Sequence, residues 1–316
     1  MSQASASSYL RHGQTPFFRL PSIDFASPER ERYRAFDAIV LGVPHDGGTT
    51  YLPGARLGPY HVRRVSALVE SYHPGHGLDV FGTIRVADGG NVVFPPFDRG
   101  AMREAVQQEI VAIAASGAAP FVVGGDHSIT LPILRAIAKV HGPVALIHVD
   151  AHLDTSTAET WGDDLHHGTP IRHAIAEGLI APRQLHQIAL RGPWKDHASG
   201  ELATAHGGVR VTADDLGEIG ATDLVADLHA RIGERPVYVS FDIDAIDPAF
   251  APGTGTPVPG GITSREALRL VRELGGCRLV GMDVVEVAPA LDHADITCHL
   301  AAHLVYEGLA VHARRF

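Results

Sequence analysis

Short runs rich in β-branched residues alternate with longer amphipathic stretches along most of this chain, and this alternation restricts the fold more than any other feature. The short runs predict strands, and the longer stretches predict helices. Where strands and helices alternate, the strands pair in parallel and the helices cover both faces of one sheet. We therefore predict an α/β fold with strands at 38–43, 84–87, 121–123, 144–149, 187–190, 209–211, 237–241 and 278–284, and helices at 102–115, 129–140, 223–232, 264–274 and 295–311.

The domain organisation follows from length and composition. A chain of 316 residues, 45% of them hydrophobic, can bury a substantial core. No linker rich in Ser or Pro and no shift in composition interrupts residues 36–316, so we predict a single domain there. Residues 1–35 carry Pro16, Pro21 and Pro28, which break any helical period, and therefore predict an extended N-terminal arm.

One predicted strand ends in an unusual polar pattern. Asp150, His152 and Asp154 stand at every second position at the end of the predicted strand 144–149, which begins with the apolar run 143–146. Side chains two residues apart on an extended chain point to the same face, so we expect all three to face one point. Acids are rare on strands and costly to bury without a partner. A positive group, most simply a pair of metal ions, is therefore expected beside them.

Two further segments supply groups of the same kind. Asp242 and Asp244 end the strand 237–241 with the same spacing, and the glycines before His127 allow a tight turn that places it at the edge of the sheet. Taken alone, His127 is more often a hydrogen-bonded core histidine, and the Asp126 before it is a typical helix cap. Ligands of open parallel sheets bind beyond the carboxyl ends of the strands. The three segments together predict six metal ligands: His127, Asp150, His152, Asp154, Asp242 and Asp244.

These ligands indicate which metal ions fit. Four carboxylates balance the charge of two divalent cations, and shared carboxylates hold such pairs about 3.5–4 Å apart in two-metal hydrolases. Oxygen and imidazole ligands without a thiolate suit Mn²⁺ better than a structural zinc ion. We therefore predict two Mn²⁺ ions per chain, with another six-coordinate divalent ion such as Ni²⁺ as the alternative.

Three segments resemble the signature motifs of the ureohydrolases, the arginase and agmatinase family. They are Gly-Gly-Asp-His-Ser at 124–128, His-Val-Asp-Ala-His-Leu-Asp at 148–154 and Ser-Phe-Asp-Ile-Asp-Ala-Ile-Asp-Pro at 240–248, and the resemblance covers about residues 37–312. It implies an arginase-like three-layer α/β/α sandwich with a central eight-stranded parallel sheet, a homo-trimer or homo-hexamer, and a binuclear Mn²⁺ centre. By this resemblance one ion would bind His127, Asp150, Asp154 and Asp242, and the other would bind Asp150, His152, Asp242 and Asp244.

The resemblance also implies roles beyond metal binding. Glu286 is expected to pair with the guanidinium group of the substrate and to orient it. Asp154 and His167 are expected to move the proton that the leaving amine needs, since an imidazole titrates near neutrality. Both His167 and Thr256 would contact the substrate, although a turn role for Thr256 is equally open. Without its motif, Glu286 would be interpreted as an ordinary acid at the end of a strand.

The motifs favour the branch of agmatinases and guanidino-acid hydrolases over the arginases. We expect hydrolysis of agmatine to putrescine and urea. The alternatives are 4-guanidinobutyrate, 3-guanidinopropionate, a proclavaminate-type substrate and, after these, guanidine. Three acids in the loop 155–164 would favour a cationic substrate tail, unless they only face water. They are Glu159, Asp163 and Asp164, and the same loop carries Trp161.

Composition argues against several other functions. The formal net charge of −10 and the lack of a Lys/Arg cluster argue against a nucleic-acid partner. No apolar run approaches the roughly 18 residues of a membrane span. Cys277 and Cys298 lie in apolar surroundings and indicate buried, reduced thiols, so we expect a cytoplasmic protein.

Three rival classes of protein share some of these features. Metal-dependent deacetylases belong to the same fold family but use one zinc ion with fewer acids. Two-metal phosphoester hydrolases need basic residues around the phosphate, and the sequence around these motifs lacks them. A non-catalytic metal-binding subunit of an oligomer is the third rival, and the complete set of expected ligands argues against it.

Overall fold

The computed structural model describes residues 16–25, 29–194 and 197–316. Its main feature is an eight-stranded sheet in which every pair of neighbouring strands is parallel. Across the sheet the strands follow the order β2-β1-β3-β8-β7-β4-β5-β6. They are β1 (Ala38–Gly42), β2 (Val86–Asn91), β3 (Ala119–Val123), β4 (Val144–Val149), β5 (Ile180–Leu190), β6 (Val209–Thr212), β7 (Pro236–Asp242) and β8 (Arg278–Val285).

Helices connect most of the strands and cover the sheet. A two-stranded hairpin pairs Tyr72–His73 with Leu78–Asp79 at the edge of the domain, and single helical turns lie at Glu29–Arg32, Val80–Thr83 and Ala158–Trp161. Among the described helices, none is both long and apolar enough to cross a membrane. The longer helices are α1 (Gly58–Ser66), α2 (Arg99–Ala115), α3 (Thr130–His141), α4 (Pro170–Ala176), α5 (His197–Ala205), α6 (Ala213–Ile219), α7 (Ala221–Ile232), α8 (Ser264–Glu273) and α9 (Ile296–Ala313).

The core consists of two apolar layers, one on each face of the sheet. In β1, Ala38 and Val40 belong to one layer and Ile39 and Leu41 to the other, because alternate side chains of a strand point to opposite faces. The first layer includes side chains of α1, α7, α8 and α9, and the second includes those of α2, α3 and α4. The three-layer α/β/α sandwich is therefore confirmed.

The eight predicted strands are confirmed, and the bounds of two of them differ from the prediction by more than two residues. β5 begins at Ile180 rather than at 187. Its first half was missed because Pro182, and Arg183 at a positive φ, interrupt the alternating pattern by which a strand is predicted. β2 covers 86–91 rather than 84–87. Asp88 lies inside β2 because Arg63 lies 2.9 Å from its carboxylate and neutralises it. Helices α1, α4, α5 and α6 were not predicted.

The described part of the N-terminal segment packs against the domain; residues 1–15 and 26–28 of the predicted arm lie outside the described residues. Phe17 and Phe18 are completely buried. The backbone N–H of Phe17 donates to Asp88 at 2.8 Å, and the ring of Phe18 lies 5.7 Å from that of Phe81 and 6.5 Å from that of Tyr306. These contacts predict that the segment stabilises the domain.

Phe18→Ala is expected to lower the free energy of unfolding by about 3–5 kcal/mol, because it removes a buried aromatic ring and leaves a cavity. Urea denaturation of the metal-free protein, followed by circular dichroism, measures the change. Phe97→Ala is the matched control, since Phe97 is 96% exposed and its removal should change the free energy of unfolding by less than about 0.5 kcal/mol. Equal effects of the two substitutions would show that the N-terminal segment does not stabilise the domain.

Candidate metal centre

The predicted site residues come from four strands that are neighbours in the middle of the sheet. β3, β8, β7 and β4 lie side by side in this order and run in the same direction. The segments at their carboxyl ends therefore meet at one edge of the sheet. They supply His127 after β3, Glu286 after β8, Asp242 and Asp244 at the end of β7, and Asp150, His152 and Asp154 after β4.

A first cluster surrounds the ring of His127. Its Nδ1 atom lies 3.1 Å from Oδ2 of Asp150, 3.0 Å from Oδ2 of Asp154 and 3.1 Å from Oδ2 of Asp242. All four side chains are buried. No aligned hydrogen bond from the described residues engages Nδ1 of His127 or Oδ2 of Asp150 and Asp154. Buried polar atoms that converge without hydrogen bonds are the arrangement that a metal ion requires.

A second cluster lies next to the first. Nδ1 of His152 is 3.0 Å from Oδ2 of Asp244 and 3.4 Å from Oδ1 of Asp150. Asp150 thus presents one carboxylate oxygen to each cluster, the position that a bridging ligand needs. Asp242 lies in the first cluster through Oδ2, while its Oδ1 accepts a hydrogen bond from the backbone N–H of Asp244 at 2.8 Å.

The charges of the two clusters are not balanced by the protein alone. Burial, together with the charges of Asp244 and Asp150, raises the pKa of Asp242 well above its ordinary value. Burial opposes protonation of His127, but the surrounding carboxylates raise its pKa well above the usual range. The carboxylates of Asp244 and Asp150 raise the pKa of His152 to about 12, again against the effect of burial. The acids therefore stabilise any positive charge placed among them, whether a proton or a cation.

A chain of hydrogen bonds fixes the orientation of His127. Its Nε2 lies 2.8 Å from Oγ of Ser240, and that hydroxyl donates its proton to Asp283 at 2.7 Å. Ser240 must therefore accept the proton of His127 Nε2, which leaves the lone pair of the neutral imidazole on Nδ1, facing the carboxylates. Asp283 is buried and also accepts from the hydroxyls of Thr130 and Tyr238. His127 is thus held in the form that binds metal.

Two site residues have strained backbones. Asp154 has a φ of 52° and Glu286 a φ of 64°, values that residues other than glycine rarely adopt. The first turn of α4 holds Asp154, whose carbonyl accepts from the backbone N–H of Ile171 at 3.1 Å and of Arg172 at 3.2 Å. Backbone strain of this kind is concentrated at active sites, where the surrounding fold imposes it.

Glu286 and His167 form a buried pair beside the first cluster. Oε1 of Glu286 accepts hydrogen bonds from Nδ1 of His167 and from the backbone N–H of His127, both at 2.8 Å. Burial alone would lower the pKa of His167, but the Glu286 carboxylate raises it to about 9. On the other side of the ring, Nε2 lies 2.8 Å from the Thr50 hydroxyl. His167 can therefore hold one proton against Glu286 and exchange another at Nε2.

A cavity of about 250 Å³ opens over both clusters. Thr256 lies on its wall, and its hydroxyl donates to Oδ2 of Asp244 at 3.3 Å. The outer wall includes Trp161 and Trp194, which are 60% and 40% exposed. Glu286 does not line the cavity but lies directly behind His167, which does. The acids on the walls are Asp154, Asp242 and Asp244, and no Lys or Arg is among the described residues that line the cavity.

The acids of the loop 155–164 do not reach this cavity. Asp163 pairs with Arg99, Asp164 lies 3.5 Å from His173, and Glu159 is not part of the cavity wall. The loop contributes Trp161, Thr155 and Ser156 instead. A cationic substrate tail would therefore meet aromatic and hydroxyl groups there rather than these acids.

Residues that support or line the site and were not predicted include Thr50, His148, Ser240 and Asp283. A signal existed for two of them, because His148 precedes Asp150 by two residues and Ser240 precedes Asp242 by two, so each shares a strand face with a predicted ligand. Thr50 lies in a loop and Asp283 on the neighbouring strand β8. Only the three-dimensional fold brings these two to the site.

The fold and the site together define a three-layer α/β/α protein with a candidate two-metal centre, and comparison with known proteins places it in a family. Residues 36–310 match the Arginase family. Proclavaminate amidinohydrolase from Streptomyces clavuligerus is 44% identical over 305 residues, which are 96% of this chain and 95% of that protein. Its solved structure superimposes with a TM-score of 0.89 and covers 97% of this chain and 99% of that one.

Two further relatives are similar over most of their length. The mitochondrial agmatinase of Gallus gallus is 40% identical over 90% of this chain and 83% of its own. The guanidinobutyrase of Pseudomonas aeruginosa is 40% identical over 95% of this chain and 92% of its own. The chain belongs to the arginase family, the ureohydrolases, and is an amidinohydrolase of the branch that contains agmatinases and guanidino-acid hydrolases.

Proposed function

We propose that this chain hydrolyses a guanidino compound to urea and an amine with two divalent metal ions, and that agmatine is its substrate. The observation that carries the metal-dependent reaction is the convergence of six buried or half-buried ligands on two adjacent points that share Asp150. The donor set of carboxylates and imidazoles suits Mn²⁺, and Ni²⁺ is the alternative.

The proposed ligands follow the two clusters, except that Asp242, which lies in the first cluster, is also assigned to the second ion by family resemblance. His127, Asp150, Asp154 and Asp242 would hold one ion, and Asp150, His152, Asp242 and Asp244 would hold the other. Two such cations would supply a water of lowered pKa, and thereby a nucleophile at neutral pH. The positions of Asp150 and His127 support this division, because both face their cluster with atoms that the protein leaves without aligned hydrogen bonds.

The remaining site residues would orient the substrate and move protons. Resonance spreads the charge of a guanidinium over three nitrogens and makes its carbon a poor electrophile, so its orientation matters. We propose that Glu286 pairs with the guanidinium, a contact that requires His167 to leave its place between the carboxylate and the cavity. Asp154 would pass a proton to the leaving amine, and His167 would exchange protons at Nε2 beside the cavity. The 2.8 Å contact between Glu286 and His167 supports a shared function.

The walls of the cavity support a cationic tail. A primary ammonium group binds well against the faces of tryptophan rings, and Trp161 and Trp194 both line the cavity mouth. A carboxylate tail would gain most from an Arg or Lys, which the described lining does not provide.

Guanidino acids are the second candidate. The similarity to proclavaminate amidinohydrolase over 96% of the chain favours them. So does Arg210, whose guanidinium lies 5.3 Å from the ring centroid of Trp194 and so brings a positive charge close to the cavity mouth. Guanidine itself, which has no tail, is the third candidate.

Urea release tests the substrate assignment. The Mn²⁺- and Ni²⁺-loaded enzymes would be assayed separately with agmatine, arginine, 4-guanidinobutyrate, 3-guanidinopropionate, proclavaminate-type guanidino acid and guanidine. We expect the highest kcat/KM for agmatine. Trp194→Leu should raise KM for agmatine by about 2- to 30-fold, the range of one cation–π contact, and Trp194→Phe should keep most of the affinity.

Each other outcome of this assay rejects a defined part of the proposal. A preference for a guanidino acid would reject the cationic tail, and a preference for arginine would reject the assignment to this branch. If two bound ions gave no urea from any of these compounds, the proposed reaction itself would be wrong.

The resemblance to the family also leads us to propose a homo-trimer or homo-hexamer. The two thiols lead us to propose a cytoplasmic location. Cys277 and Cys298 are both free and buried, as is typical of reduced thiols. Sedimentation velocity of the metal-loaded protein distinguishes a trimer from a hexamer by mass.

A further inference from the structure

His148 lies beside the metal centre without an assigned role. It is completely buried in β4, two residues before Asp150, and pairs in register with Gln187 on β5 and Ser240 on β7. Its Nε2 lies 2.9 Å from Oδ2 of Asp150, and its ring centroid lies 5.1 Å from that of His127. By position alone, His148 could be either a further metal ligand or a residue that positions Asp150.

Gln187 decides between these two roles. Its side-chain nitrogen donates to the backbone carbonyl of Leu153 at 2.9 Å and to Nδ1 of His148 at 3.1 Å. The opposite orientation of the amide would turn its oxygen toward the carbonyl of Leu153 and is therefore excluded. Nδ1 of His148 is thus the acceptor, so the neutral ring carries its proton on Nε2 and has no lone pair there for a metal ion.

The proton on Nε2 has one partner close by. Nε2 is buried and has no aligned hydrogen bond to the described residues, and its short polar contact is with Asp150. A buried N–H that is not aligned as a hydrogen bond requires a physical explanation. Here the explanation is electrostatic, since the N–H dipole lies against the carboxylate that belongs to both clusters.

We propose that His148 and Gln187 position the bridging carboxylate of Asp150 through the Nε2–H of His148. Gln187 fixes the tautomer of His148 and, through Leu153, ties it to the loop that carries Asp154. The pair thereby holds Asp150 and Asp154 in the geometry that two ions need, without binding either ion itself. This inference rests on the proposed two-metal function.

Metal titration of the metal-free protein tests the proposal without an activity assay. Isothermal titration with Mn²⁺, checked by electron paramagnetic resonance of free Mn²⁺, gives the number of ions and their Kd. His148→Leu is expected to bind two ions with a Kd about 10- to 100-fold higher, the usual cost of losing a residue that orients a ligand. Gln187→Leu should raise the Kd in the same direction.

Two further variants separate positioning from packing. His148→Gln keeps an N–H donor near the position of Nε2 and should restore most of the affinity. Because His148 and Gln187 act as a unit, the double variant should bind no more weakly than His148→Leu alone. His186→Leu is the matched control, since His186 is a completely buried histidine on β5 next to Gln187 and none of its described contacts is with the clusters; it should bind as the wild type does.

The opposing outcomes are distinct. If His148→Leu bound only one Mn²⁺ ion, His148 would be a metal ligand. If its Kd for Mn²⁺ were unchanged, His148 would have no role in the metal centre. Equal weakening in His148→Gln and His148→Leu would show that the ring matters only for packing. Failure of the wild-type protein to bind two ions would instead reject the proposed function.

Discussion

Asp150→Asn is expected to abolish two-metal binding and to lower urea release by at least about 10³-fold. Among the described residues, Asp150 is the one that presents an oxygen to each cluster, Oδ2 toward His127 and Oδ1 toward His152. The substitution keeps the size of the side chain but removes its charge and replaces one acceptor oxygen with an NH₂ donor. The ion next to that NH₂ group would lose a ligand and meet a repulsive dipole.

Metal content and activity should therefore fall together in Asp150→Asn. Inductively coupled plasma mass spectrometry after Mn²⁺ loading and desalting gives the number of ions, and urea release gives the rate. His152→Ala is also expected to lose metal and activity, because it removes the one imidazole of the second cluster. Asp247→Asn is the control, since Asp247 accepts only backbone hydrogen bonds in a turn and should keep two ions and full activity. A metal-free protein at full activity would refute the mechanism.

The fold was predictable because each strand and helix carries its own pattern. The alternation located all eight strands. The start of the helix Ser264–Glu273 was also visible, because Thr263 before it and Glu266 in its first turn form a capping box that can be recognised in the sequence. The first half of β5 and the helix Gly58–Ser66 were missed for a local reason. Both begin next to a proline or glycine, and only pairing with neighbouring elements fixes their conformation.

The convergence of the six candidate ligands was predictable for a different reason. Acids at every second position of a strand must share a face, and the carboxyl ends of parallel strands must share an edge, so these residues were expected to meet before the structure was known. The residues that hold these ligands in place were not predictable from the sequence. Gln187 and Asp283 lie on neighbouring strands, and their contacts depend on strand order, which single-strand patterns do not contain. Trp161 and Trp194, which we propose contact the substrate tail, come from segments with no periodicity.

Glu286→Gln is expected to keep both metal ions and to lower kcat by about 10³-fold, within the range for a charged group that acts in the transition state. The amide oxygen of Gln can still accept the two hydrogen bonds that Oε1 now receives from His127 and His167. The geometry of the first cluster should therefore survive. The substitution removes the negative charge that would pair with the guanidinium.

The same substitution changes the protonation of His167. In the wild type, the Glu286 carboxylate overcomes the effect of burial and raises the pKa of His167 to about 9, so the ring keeps its proton below that pH and loses it above. Without this charge the effect of burial is opposed less strongly, by Asp126 and Asp154, so the pKa of His167 should fall. The alkaline limb of the pH profile of kcat should therefore move to lower pH in Glu286→Gln.

Metal titration, kcat and this pH profile together distinguish three roles for Glu286. Retained ions with a low kcat and a shifted profile mean that it acts on the substrate and on His167. Lost ions would mean that it mainly supports His127, whose backbone N–H it accepts. Full activity would remove it from the site. Glu307→Gln is the matched control, because Glu307 is equally buried but pairs with Arg272 and His73 away from the cavity, so its loss should affect stability and leave kcat unchanged.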